Sequence, residues 1–285
     1  MDIYPFLFTV NKIHEINTTT IRERLSREPH RLFHPHRTNF FMIYLFTEGS
    51  GRHLVDFEAV DVESRHILFI SQGQVHAFDR NKTYDGKALI FTEHFFCRTN
   101  FDTKFLLSTP LFANDFSQSY FKINSCFDQL VKLFEEVFDE LRHRPDTKQG
   151  MILHNLLWRI LLLAEREVEG QAGVQKVLSD TEQLAIKFKK AVNEHFKTRK
   201  RISFYIDILH VGIRRLQLAT AASFNKTPKQ MVSDRLLLEA KRMLTYEDLS
   251  IKEISDHLGF DETTSFDKFF KSKLGIAPSE FKRNL

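Results

Sequence analysis

Residues 250–281 read SIKEISDHLGFDETTSFDKFFKSKLGIAPSEF. Ser250-Ile-Lys-Glu253 has the form of a capping box and starts a short helix. Gly259 stops it, and Asp261 is placed to cap a second helix. Along that second helix Phe266, Phe269, Phe270 and Leu274 share one stripe at helical spacing. Thr263, Thr264, Asp267, Lys268 and Lys271 lie towards the other side. Gly275 stops this helix, and Pro278 opens the next one.

The pattern occurs twice. Asn225-Lys-Thr-Pro228 and Gly275-Ile-Ala-Pro278 stand 50 residues apart, each with a left-handed-tolerant residue three before a proline. Thr227-Pro-Lys-Gln230 also fits a capping box. In the first copy Ser203 is expected to start a short helix, 204–209. His210-Val211 makes the turn, and Gly212 takes the cap position. Leu216, Ala219 and Thr220 then face inward, with Arg214, Arg215, Gln217 and Leu218 outward. Two short helices joined by a tight turn make a helix-turn-helix, whose second helix suits a major groove. Arg, Lys, Gln and Thr are side chains that meet base edges and phosphates. The helix over 228–244 joins the copies and could set the two reading helices roughly 34 Å apart, one turn of B-DNA.

Charge agrees with this reading. Residues 180–285 hold 20 Lys/Arg against 14 Asp/Glu, whereas residues 1–179 hold 21 against 23. A basic C-terminal half fits an anionic partner such as nucleic acid. Against the alternative of a protein-binding helical module, the discriminating property is DNA affinity that falls steeply with salt.

The 285 residues suggest two domains. Twenty of the 29 phenylalanines precede residue 180, enough for a large aromatic core in the first half. Residues 40–96 read as short strands with a hairpin at Glu48-Gly49-Ser50-Gly51, hence an antiparallel barrel or sandwich. An amphipathic helix follows over 127–141, carrying Phe127, Leu130, Val131, Phe134, Val137, Phe138 and Leu141, with Asn124 or Ser125 as its cap. A second helix runs from about 147 to 168. Its wide apolar arc must pack on its own barrel, on a partner chain, or on both. Residues 169–180, small and polar, read as a linker. Ser179 or Asp180 then caps a helix carrying Leu184, Ile186, Phe188, Ala191, Val192 and Phe196. The apolar segment 152–167 contains His154, Asn155 and Arg159 and is too short and too polar to span a bilayer. With no secretory signal and only Cys97 and Cys126, a reducing cytoplasm is expected.

The C-terminal residues closely resemble the AraC/XylS family of bacterial transcription regulators. The similarity rests on Asp207 and Leu209, on Arg235-Leu-Leu-Leu-Glu-Ala240 with Leu244, and on Leu249-Ser-Ile-Lys-Glu-Ile254. It continues through Leu258-Gly-Phe260, Ser265-Phe266, Phe270-Lys271, Gly275 and Pro278-Ser-Glu-Phe281, covering about 200–283. The resemblance implies a two-domain α+β protein whose all-α C-terminal domain, 181–285, carries a double helix-turn-helix. It puts Arg214, Arg215 and Gln217 on DNA in the first unit. Thr263, Thr264, Asp267 and Lys268, with Lys271 beside them, do so in the second. Three positions depart from the family pattern. Ile206 replaces a small residue, Gly212 replaces a Ser-type cap, and Asp267 faces phosphates unless it accepts from a cytosine amino group.

Residues 1–168 resemble the cupin-like sensor domain of such proteins, through His34-Pro-His36, Glu48-Gly-Ser-Gly51 and Ile70-Ser-Gln-Gly-Gln-Val-His76. Glu63-Ser-Arg65 lacks a common turn glycine. By resemblance the barrel, about 1–120, binds a small effector, with His36, Arg37, His53 and His76 as candidate contacts. Arg37, His53 and Arg65 also read as ordinary solvated strand residues. The helices over 125–168 pair two chains, with Leu157, Trp158 and Leu161 as candidate contacts, although core packing is the plainer reading of Trp158. The implied partners are double-stranded DNA, the effector, a second copy of the chain and RNA polymerase. No cofactor is expected. A metal-dependent cupin enzyme would use His34, His36 and His76, but no acid follows His36 at three to four residues, so no complete metal shell is expected.

Overall fold

The protein was analysed as a computed structural model that describes residues 3–4, 14–112, 119–172 and 179–283. The chain divides into two compact units, Asp2–Gln175 and Lys176–Leu285.

The N-terminal unit is built on two five-stranded sheets. One takes the order β1 (Ile3–Tyr4), β3 (His36–Thr38), β8 (Val75–Phe78), β5 (Ser50–Val55), β6 (Glu58–Glu63). The other runs β10 (Tyr120–Lys122), β7 (His66–Ile70), β4 (Phe41–Glu48), β9 (Asp85–Phe91), β2 (Ile16–Thr20). Pairing is antiparallel except between β1 and β3.

The run FMIYLF in β4 explains the layering. Successive strand side chains point to opposite faces. Met42, Tyr44 and Phe46 face the core between the sheets, with Val55, Val62 and Phe78. Phe41, Ile43 and Leu45 face the other way, with Phe69, Leu89 and Phe91 beside them. That second face is covered by α5 (Phe127–Arg142) and α6 (Gln149–Ala172). A strand buried on both faces must be apolar throughout, as this one is.

The two helices sit as the sequence leads one to expect, with corrections. Neither Asn124 nor Ser125 caps α5. Its N-cap is Cys126, which makes no side-chain bond. Instead the buried Glu167 of α6 accepts from the backbone N–H groups of Asn124, Ser125 and Cys126 at 3.2, 2.7 and 3.1 Å, and from the Ser125 hydroxyl. Burial pushes the Glu167 pKa up, but the bonds from Ser125 and Asn124 more than offset it, and the net shift is down. One carboxylate thus satisfies donors that the start of α5 leaves open.

Helix α6 continues to Ala172, four residues into the expected linker, and residues 173–178 of that segment lie outside the described residues. Leu157 and Leu161 are fully buried in the core against the sheet, so this face cannot meet a partner. Trp158 is also held inside its own unit. Its ring lies tilted against Phe96 of α3 (Glu93–Phe96) and Phe105 of α4 (Asn100–Ser108), at 5.0 and 4.5 Å, and its indole N–H donates to Asp102 at 3.0 Å. The solvent side of α6 shows Met151, Ile152 and Leu162 instead. Among the described residues no helix is long and apolar enough to cross a membrane.

Arg65 stands where the turn glycine is missing and adopts φ 62°. Its N–H donates to Phe46 O at 2.8 Å, its C=O accepts from Ile123 at 2.8 Å, and its guanidinium lies 4.4 Å from the Phe127 ring. These contacts offset a left-handed conformation that costs about 1–2 kcal/mol for a residue with a Cβ.

The C-terminal unit is all helix: α7 (Asp180–His195), α8 (Ile202–Leu209), α9 (Ile213–Phe224), α10 (Pro228–Tyr246), α11 (Ile251–His257), α12 (Thr263–Leu274) and α13 (Pro278–Arg283). One core joins them through Phe188, Tyr205, Leu216, Ala240, Ile254, Phe266 and Phe270, all fully buried. Capping boxes form at Ser179/Glu182, Thr227/Gln230 and Ser250/Glu253. Asn225 and Gly275 end their helices in the left-handed conformation. Two expected starts shift by a residue or two: Arg201, not Ser203, precedes α8, and Glu262, not Asp261, precedes α12. Ile206 stays half-buried against the core, so α8 is not displaced from it.

Candidate nucleic-acid interface and ligand pocket

Each half of the C-terminal unit presents one helix outward. In the first, α8 ends at His210, whose φ of 52° turns the chain, and α9 starts at Gly212 with no side-chain cap. Leu216, Ala219 and Thr220 anchor α9 in the core, and Arg214, Arg215 and Gln217 stand exposed. Exposed Leu218 shares the same face, one turn after Arg214. In the second, α11 ends at Leu258-Gly259, and Phe266 and Phe270 anchor α12. Thr264, Lys268 and Lys271, spaced at four and three, form its exposed centre. Thr263 and Asp267 are half-buried at the flank of that face. Among the described residues none of Arg214, Arg215, Lys268 and Lys271 holds an ion pair, so their charge is open to an external anion.

Helix α10 ties the halves together. Buried Glu239 receives Arg235 at 3.1 Å, Lys197 at 3.6 Å and Arg242 at 3.7 Å, and the Arg235 guanidinium lies 4.1 Å from the Phe196 ring. This accounts for the Arg235-Leu-Leu-Leu-Glu239 pattern: the i, i+4 pair holds both side chains in place, and Arg235 on Phe196 and Glu239 on Lys197 tie α10 to the end of α7.

In the N-terminal unit His36, Arg37, His53 and His76 are all buried. Arg37 and His53 are therefore not solvated strand residues. His34 is exposed and points elsewhere. The registers His36↔His76 and Val55↔His76 gather three imidazoles. Their ring centroids lie 4.1 Å (His36–His76) and 5.4 Å (His53–His76) apart. Burial lowers the His36 pKa to about 4 and that of His53 to about 3, and holds that of His76 well below its ordinary value, so all three are neutral near pH 7. His53 Nδ1 lies 3.1 Å from the Tyr84 hydroxyl, while neither ring nitrogen of His76 has a hydrogen-bond partner among the described residues. Also among the described residues, no three His, Cys, Asp or Glu are placed to hold a metal ion.

His36 also lines a cavity of about 300 Å³. Of the four candidate effector contacts His36 alone lines it; Arg37, His53 and His76 do not. Its roof is α1 (Ile21–Arg27) and α2 (Pro29–Leu32), which bring Arg24, Arg27 and Arg31. Its walls include Phe40, Ala88, Ile90, Phe138 and Leu141, with Arg142 at the end of α5. The signal that could have found α1 is Thr20-Ile-Arg-Glu23, a capping box that forms as written.

Comparison with known proteins agrees with this architecture. Residues 23–149 match the AraC-like ligand binding domain, and residues 205–284 match a helix-turn-helix domain. The chain is 22% identical over 259 residues to the HTH-type transcriptional activator RhaS of Mannheimia succiniciproducens, covering 90% of this chain and 91% of that one. It is 21% identical over 267 residues to RhaS of Yersinia pestis, strain Pestoides F, covering 91% and 93%. Among solved structures it is similar to ToxT from Vibrio cholerae O395, at 12% identity, 94% and 97% coverage and a TM-score of 0.42. An ordered pair of matched domains, an AraC-like ligand binding domain and then a helix-turn-helix domain, makes this chain an AraC-type DNA-binding transcription regulator.

Proposed function

We propose that the chain reads two successive major grooves, with Arg214, Arg215 and Gln217 in one and Thr264, Lys268 and Lys271 in the next. The observation that carries this is that both outward helices expose these residues while burying the opposite stripe. Helix α10, at 19 residues about 28 Å long, is of a length that suits two readers one DNA turn apart. Thr263 and Asp267 act at the edge of the second reader. A small effector binds the N-terminal domain and shifts how the readers are presented, by no more than its preference for one state over the other.

Two chains pair through the exposed stripe of α6 that carries Ile152 and Leu162, a correction to the buried Leu157 and Leu161. The relatives are named as activators, which favours activation through contact with RNA polymerase in the cytoplasm.

Replacing Arg214 and Arg215 with Ala is expected to weaken binding to a selected operator by about 1–3 kcal/mol for each side chain that reads a base, with a shallower salt slope for each that touches phosphate. Binding isotherms at several salt concentrations measure both. Unchanged affinity and slope would remove α9 from the groove.

A further inference from the structure

The cavity under α1 and α2 has the wrong chemistry for a purely neutral ligand. Four guanidinium groups line it, from Arg24, Arg27, Arg31 and Arg142. Its two carboxylates are already committed. Glu23 accepts from the Thr19 hydroxyl and the Thr20 N–H, at 2.7 and 3.3 Å, and Glu28 pairs with Arg31 at 3.7 Å.

Arg24 is the most telling of the four. It is half-buried, and its Nε is shut off from solvent with no hydrogen-bond partner among the described residues. One of its Nη atoms finds only the Met42 sulfur, at 4.0 Å. Its charge also bears on His36, His76 and Tyr44 behind the cavity. A guanidinium so placed loses hydration and gains little in return, unless a carboxylate or similar anion completes it.

The rest of the cavity limits the anion. Phe40, Ile90, Phe138 and Leu141 supply apolar walls. A volume of about 300 Å³ is at the small end for a ligand site. Glu23 and Glu28 offset two of the four Arg charges, and of the four only Arg24 is drawn in from solvent, so the site favours one carboxylate at that position.

We infer that this cavity is the effector site and that it takes a small organic monocarboxylate with an apolar body, its carboxylate on Arg24 and its body against Phe40, Ile90 and Phe138. The inference deepens the effector reading given above and rests on it.

The test is calorimetric titration of the full-length chain with octanoate and 1-naphthoate. The matched alcohols, inorganic phosphate and a neutral monosaccharide serve as comparison arms. The carboxylates are expected to bind at least about tenfold more tightly than their alcohols, the scale of one charge-assisted contact. Arg24→Gln is expected to erase that preference. Should Arg24→Gln fail to fold, Arg27→Glu combined with Arg142→Glu, both at exposed positions, is expected to weaken the carboxylates several-fold and leave the alcohols unchanged. Equal binding of acid and alcohol, or carboxylate binding untouched by these variants, would overturn the inference. So would binding of phosphate or the monosaccharide alone; the monosaccharide outcome would keep the effector reading and discard its anionic class. Operator binding is read on the same samples. A chain that holds DNA but neither carboxylate loses this inference only.

Discussion

Leu157→Glu is expected to unfold the N-terminal domain, whereas Leu162→Glu, five residues on, leaves it folded and monomeric. Both residues lie on α6, but Leu157 is 0% exposed and Leu162 is 48% exposed. The first change removes a buried leucine, worth about 2–5 kcal/mol, and puts an unpaired carboxylate in its place, which adds several more. Domains have about 5–15 kcal/mol in total, so the loss approaches the whole stability. The second change touches only solvent in the single chain. Its effect appears in pairing, because Ile152, Asn155, Arg159, Leu162 and Arg166 recur at three and four along the exposed face, the spacing of a helix seam. Urea unfolding and analytical ultracentrifugation measure the two effects. A stable, monomeric Leu157→Glu chain would return the interface to the face buried here. A dimeric Leu162→Glu chain would move it off α6.

Gly259→Ala is expected to destabilise the second helix-turn-helix by several kcal/mol and to abolish operator binding. Gly259 adopts φ 66°, which costs about 1–2 kcal/mol for alanine. The added Cβ would also stand 2.1 Å from the carbonyl oxygen of Lys197, a backbone atom that cannot rotate aside. Lys200, whose Nζ reaches the Gly259 carbonyl and lies 4.4 Å from the Phe260 ring, ties the same turn to the segment after α7. Gly275→Ala is the control. Its φ is 78°, but a Cβ there meets nothing within 4 Å, so only the backbone term of about 1–2 kcal/mol applies. Thermal melts of the two variants separate strain from collision. Equal losses would show that the Lys197 carbonyl moves aside freely.

The C-terminal domain was legible because its signals are local. Capping pairs such as Ser250 and Glu253 lie three residues apart, and the Phe266/Phe270 stripe spans one turn. The misplaced starts at Ser203 and Asp261 arose where several polar residues compete to precede a helix. The N-terminal domain was less legible because its decisive contacts are distant in sequence. The run FMIYLF announces a strand, but only its packing, on the opposite sheet at one face and on α5 and α6 at the other, shows that both faces are covered. The wide apolar arc of α6 left open whether barrel or partner covers it, and the sheet, some 70–110 residues upstream, covers Leu157 and Leu161. Arg37 and His53 look like solvated strand residues until the folded domain buries both. Arg24 had no local mark of function at all; α1 and α2 make it part of a cavity only once they fold over β2 and β9.

The central claim is that one chain reads two grooves, and selection of bound duplexes from a random DNA pool by the full-length protein tests it most directly. The account predicts a motif of two conserved blocks about one helical turn, 10–10.5 base pairs, apart. Lys268→Ala with Lys271→Ala should then blur one block, and Arg214→Ala with Arg215→Ala the other. A single short block blurred by only one of the variant pairs, or affinity with no sequence preference, would contradict it.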